Sequence, residues 1–136
     1  MRLPLICIGR PKAGPERDLA ARYIERASAA RAICFSGVEL REAGESRAGR
    51  PGDRMRDEAQ TIRGWLMPRT GVIALDENGK QMTRRSLTTE LGRARDQGIA
   101  SAAFVIGGPV VWNPHFLASV SFMLSFGVMT WPQQLV

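Results

Sequence analysis

Three short stretches of the chain carry residue types that could hold a ligand. Gly107 and Gly108 directly follow the apolar run Ala102-Ala-Phe-Val-Ile106. Two residues without a Cβ let backbone amides approach a bound group closely, although a double glycine is equally an ordinary way to turn a chain. No G-x-G-x-x-G pattern occurs, so this is not a dinucleotide fingerprint. Asp76 closes a second apolar run, Gly71-Val-Ile-Ala-Leu75. Its carboxylate could accept a hydrogen bond from a ribose hydroxyl or an amino group, or simply shape the turn Glu77-Asn78-Gly79-Lys80. The third stretch, Ser125-Phe-Gly-Val-Met-Thr-Trp-Pro132, sets Gly127, Met129 and Trp131 in an apolar loop. Such a loop could cradle a flat, partly apolar ring such as adenine, or pack into the core. Thr130 and Gln133 have capping-box spacing, which predicts that a helix starts there.

Other reactive side chains are sparse. Cys7 and Cys34 are far apart, form no C-x-x-C, and lie in apolar runs; with His115 as the single histidine, no structural metal site is expected. Both cysteines read as buried thiols, and His115 as a surface or helix-start residue rather than a catalytic one. The net charge is +6, and seventeen of the nineteen basic residues are Arg. Arginine's planar fork suits phosphates and base stacking, so a polyanionic partner is favoured, though a GC-rich genome yields the same composition.

The elements that must position these residues alternate. Residues 3–9 read as a buried strand. Residues 15–30 read as a helix with Leu19, Tyr23, Ile24 and Ala27 on one face, and residues 32–40 as a strand through Ile33, Phe35 and Val38. The polar run 41–50 reads as a mobile surface loop. A helix over 51–67 carries Met55, Ala59, Ile62 and Leu66 inward and stops at Pro68. Strands are expected at 71–76, 102–106 and 122–124. A helix capped by Ser86 is expected to run through Arg95. This order predicts one α/β domain over residues 1–136, with a mostly parallel sheet and helices on both faces. In such sheets ligands bind beyond the carboxyl ends of the strands, where the loops after Asp76, at Gly107-Gly108 and at 127–132 would lie. The apolar start is too short for a signal peptide, and no run is long enough to span a bilayer, so a cytoplasmic protein without a membrane partner is expected.

In order and spacing, the runs Leu3 to Gly9, Val72-Ile-Ala-Leu-Asp-Glu-Asn-Gly-Lys80, Phe104-Val-Ile-Gly-Gly-Pro109 and Leu124-Ser-Phe-Gly-Val-Met-Thr-Trp-Pro-Gln-Gln-Leu-Val136 resemble a family across the whole chain. That family is the small SPOUT-class methyltransferases that modify N3 of a pseudouridine in large-subunit ribosomal RNA. The resemblance implies a trefoil-knotted α/β fold, a homodimer, and ribosomal RNA of the large subunit as partner. It also implies S-adenosylmethionine held by Leu75, Asp76, Gly107, Gly108, Gly127, Val128, Met129, Thr130, Trp131 and Pro132.

Two departures accompany the resemblance. The family usually has a further glycine and a leucine shortly after the double glycine, where this chain has Pro109-Val-Val-Trp-Asn-Pro114. Relative to the family, the domain is also expected to be shortened at its carboxyl end. The helix that would complete the knot and the tail of Tyr, His and a basic residue that reaches the active site are not in these 136 residues, which leaves the catalytic residues unassigned. A catalytically inactive remnant that keeps the fold, with weak cofactor binding and little turnover, is therefore the competing expectation. An unrelated nucleotide-binding α/β protein is a more distant third. On this view Phe122, Leu124 and Leu135 should lie bare and promote an altered dimer or aggregation.

Overall fold

In a computed structural model, described for residues 1–10, 12–30, 35–107, 113–127 and 136, five strands form one all-parallel sheet. The elements run β1 (Leu3–Ile8), α1 (Pro15–Ala29), β2 (Val38–Ala43), α2 (Pro51–Trp65), β3 (Thr70–Gln81), α3 (Arg84–Asp96), β4 (Ser101–Ile106), α4 (Pro114–Leu117) and β5 (Phe122–Ser125). The strand order is β2-β1-β4-β3-β5. Alternation along the central strands feeds two cores. Ile6, Ile8, Val72, Ala74, Ala103 and Val105 face Ala59 and Ile62 of α2 and Phe116 of α4. Ile73, Ala102 and Leu124 pack on the other side with Leu87 and Leu91 of α3. Apolar residues on both faces are what a parallel sheet covered by crossover helices requires. The expected knot depends on the chain's path at 108–112 and 128–135, outside the described residues. No helix of the described residues is long and apolar enough to cross a membrane.

Several local expectations are corrected. The second strand lies later than 32–40: it runs to Ala43, pairing Ile6 with Arg41, Cys7 with Glu42 and Ile8 with Ala43. Arg41 to Ala43 therefore belong to a strand and not to the polar loop. An edge strand can carry such charges, because β2 has a neighbour on one side alone. What remains of the loop is tied down. The Glu58 carboxylate, 4% exposed, accepts a hydrogen bond from the Ser46 amide at 3.1 Å, and Asp57 accepts one from the Ser46 hydroxyl at 2.9 Å.

Helix α3 is capped by Thr83, whose Oγ1 accepts from the Ser86 amide at 3.1 Å; Ser86 sits inside the first turn instead of ahead of it. Leu19 and Tyr23 do not face inward. They are more than half exposed, and no residue of α1 is buried. Leu124 is buried and Phe122 half-buried, so the bare apolar surface expected there is absent at Leu124; Phe126 is the exposed residue of that stretch. Leu135 lies outside the described residues.

Candidate functional site

Because every strand is parallel, all five carboxyl ends lie on one edge of the sheet. The registers Ala74↔Val105 between β3 and β4 and Leu75↔Leu124 between β3 and β5 set three adjacent strands level. Leu75, level with Leu124, thus stands one residue past Ala74 and Val105, so that Asp76, Gly107 and Gly127 follow close behind on neighbouring strands, which are spaced roughly 4.8 Å apart. Gly107, with φ 83°, and Gly127, with φ 145°, both hold a backbone conformation that favours glycine. Of the residues expected to hold a ligand, Leu75, Asp76, Gly107 and Gly127 thus share one edge. Gly108, Val128, Met129, Thr130, Trp131 and Pro132 lie outside the described residues.

The expected turn after Asp76 is a bulge within a longer strand. Leu124 pairs with both Leu75 and Lys80, so residues 76–79 leave the sheet and rejoin it. Asp76 shapes the excursion, its Oδ1 accepting from the Asn78 amide at 2.8 Å. Gly79 closes it: a Cβ there would stand 2.7 Å from the Leu124 carbonyl carbon and 2.8 Å from that of Met123. Ser125, 5% exposed, bridges bulge and loop. Its hydroxyl donates to the Glu77 carbonyl at 3.1 Å and to the Gly127 carbonyl at 2.7 Å, and accepts from the Gly127 amide at 3.1 Å. Gly79 and Ser125 were not singled out from sequence. A glycine four residues past an apolar run and a serine ending one are the signals that were there to read.

At the far end of the segment that starts at Gly107, Asn113 caps α4. Its Oδ1 accepts from the His115 and Phe116 amides at 3.0 and 3.2 Å. His115 lies in that first turn with an exposed side chain, and its carbonyl accepts from Arg63 at 2.6 Å. A cavity of about 360 Å³, lined by Arg2, Arg41, Trp65 and Thr70 among others, opens at the opposite edge, where the strands begin. It shares no residue with the three loops.

Cys7 ends up half-buried beside Glu42, its register partner. Desolvation, reinforced by the Glu42 charge, pushes its pKa up from 9.0 to about 11. The protonated thiol therefore prevails at neutral pH and is no nucleophile. A folded value above the unfolded one means that the associated stability is complete below pH 9.0 and is lost as pH rises through about 11. Alkylation at pH 8, followed by mass spectrometry of the Cys7 peptide, is expected to run about 100-fold slower in the folded than in the unfolded chain. Equal rates would contradict this environment.

Comparison with known proteins agrees with this architecture. A family model described as "Predicted SPOUT methyltransferase" matches residues 1–136. A protein of Beijerinckia indica named "Ribosomal RNA large subunit methyltransferase H" is 50% identical over 100% of this chain and 86% of its own length. Proteins of the same name from Methylocella silvestris and Bradyrhizobium sp. strain BTAi1 are 48% and 40% identical over the same shares.

Proposed function

This chain belongs to the SPOUT methyltransferase family, and on that premise we propose that it methylates N3 of a pseudouridine in large-subunit ribosomal RNA, with S-adenosylmethionine as donor, as a cytoplasmic homodimer. The reading rests on one feature: Leu75 and Asp76, where β3 bulges out of the sheet, and Gly107 and Gly127, just past the carboxyl ends of β4 and β5, stand together on three adjacent parallel strands. That is where ligands bind in open α/β sheets. The residues fit the donor. Gly127 has open space where a Cβ would stand, and the loops offer backbone groups and the Asp76 carboxylate to a ligand with an adenine, a ribose and an amino-acid portion.

When bound, S-adenosylmethionine supplies a methyl group activated by a sulfonium. The chain's part is to hold and orient. Leu75 and the backbone at Gly107 and Gly127 would flank the nucleoside, while Asp76, whose Oδ1 already fixes the Asn78 amide, keeps its other oxygen for a hydroxyl or amino group. Bringing the two reactants into line is itself a large share of the acceleration. Arg10, Arg47, Arg50 and Arg54, all exposed, belong to the segments that follow β1 and β2 on the same edge, and none is ion-paired among the described residues. They provide a phosphate-binding margin beside the donor loops, and RNA affinity should fall steeply with salt.

The test is transfer of labelled methyl from S-adenosylmethionine to bacterial ribosomes that lack the modification, alongside calorimetric titration of the chain with the donor. Label confined to one pseudouridine of the large-subunit RNA is the expected result. Absence of donor binding even at millimolar concentration would overturn the proposal.

A further inference from the structure

We propose that Ser125 is a positioning residue that locks the bulge of β3 to the loop after β5 and thereby sets the shape of the donor site. This rests on the function proposed above. Its hydroxyl is one buried group with three backbone partners: the Glu77 carbonyl at 3.1 Å, the Gly127 carbonyl at 2.7 Å and the Gly127 amide at 3.1 Å. Glu77 lies at the crown of the bulge and Gly127 at the mouth of the following loop, 50 residues apart in sequence.

A hydroxyl has one proton, so the two carbonyls share it, and neither loop can retreat without leaving the other's bond to adjust. The sheet cannot do this work. Backbone pairing between β3 and β5 covers Leu75, Lys80 and Gln81 but skips residues 76–79, and β5 ends at Ser125. Ser125 joins the crown of the bulge to Gly127 through one side chain. The bonds are partly buried, and removing the hydroxyl takes them all away at once, so its loss should loosen the bulge and the loop together.

The variants are Ser125→Ala, Ser125→Thr and, as a control, Ser121→Ala. Ser121 makes an equivalent side-chain bond at the other end of the same strand pair, where its Oγ accepts from the Val72 amide at 3.2 Å. Ser125→Ala is expected to weaken binding of S-adenosylmethionine about tenfold or more by calorimetry. Ser125→Thr, which keeps the hydroxyl, should recover most of that loss, and Ser121→Ala should bind as the parent chain does.

Hydrogen exchange provides a readout independent of the ligand. In Ser125→Ala the amides of residues 77–79 and of Gly127 should exchange faster together. Parent-like affinity in Ser125→Ala, or faster exchange confined to Gly127, overturns the latch. If the parent chain itself fails to bind the donor, the proposed function falls, and exchange in Ser125→Ala still decides the latch: unchanged rates at 77–79 overturn it and coupled acceleration upholds it. Should the threonine variant fail to fold, the comparison of Ser125→Ala with Ser121→Ala carries the same decision.

Discussion

Alanine in place of Gly79 is expected to lower stability by about 2–3 kcal/mol, the range for forcing extra atoms into a packed site, and to weaken donor binding at least about tenfold. The added methyl would sit 2.7–2.9 Å from backbone atoms of Met123 and Leu124. Those atoms belong to β5 and cannot swing aside as a side chain could. Relief must come from moving β5 away from β3, which breaks the pairing of Leu124 with Lys80 and shifts Ser125 and Gly127 with it. The penalty is thus one of contact rather than of backbone conformation. Gly92 isolates the difference: it lies inside α3 with nothing within 4 Å of where its Cβ would be. There the same substitution should raise stability by about 0.5–1 kcal/mol, because alanine favours the helix. Urea midpoints of the two variants should move in opposite directions. A Gly79→Ala chain as stable as its parent would mean that the bulge does not press on β5 as described.

The contrast between these two glycines also explains what the sequence could and could not convey. Strands of the central sheet announce themselves, since runs such as Val72-Ile-Ala-Leu75 and Ala102-Ala-Phe-Val-Ile106 are apolar on both faces, as burial between helix layers demands. The edge strand β2 does not. Arg41 and Glu42 carry charges that water or a salt bridge accepts, Arg17 reaching Glu42 at 3.3 Å, so they read as loop. Helix α1 misleads in the other direction: its apolar spacing predicts an inward face, yet Leu19 and Tyr23 stay largely exposed. At the candidate site, Gly107 and Gly127 could be read from type and place, and each proves to have the positive φ that favours glycine. Gly79 could not, because its necessity arises from β5, 44 residues further on, and Ser125 escaped notice for the same reason. Long-range contacts of this kind leave no local period.

Phe116 poses the same problem more severely, and its removal is the second large effect expected. Helix α4 has four residues, too few to display a period, and the Asn113-Pro114 pair, a capping residue followed by proline at the first helical position, was its sole local mark. Phe116 is nevertheless fully buried, packed in one cluster with Ile6, Ile8, Ile62, Val72 and Val105. Truncation to alanine should therefore cost about 3–5 kcal/mol, the usual range for an aromatic core residue. Asn113→Ala, which removes the cap while leaving the ring, should cost about 1 kcal/mol. The two changes act on one anchor, so their effects should not simply add. The consequence for the site follows from chain connectivity. Gly107, at the end of β4, is only six residues from Asn113, the cap of α4, so loosening α4 should reach Gly107 through the chain. Donor affinity of Phe116→Ala, measured well below its lowered melting temperature, should therefore drop along with stability, whereas an equally destabilising truncation of Ile62, on α2 and remote from Gly107 in sequence, should spare it. If both variants lost affinity alike, α4 would be holding up the core and not the loop.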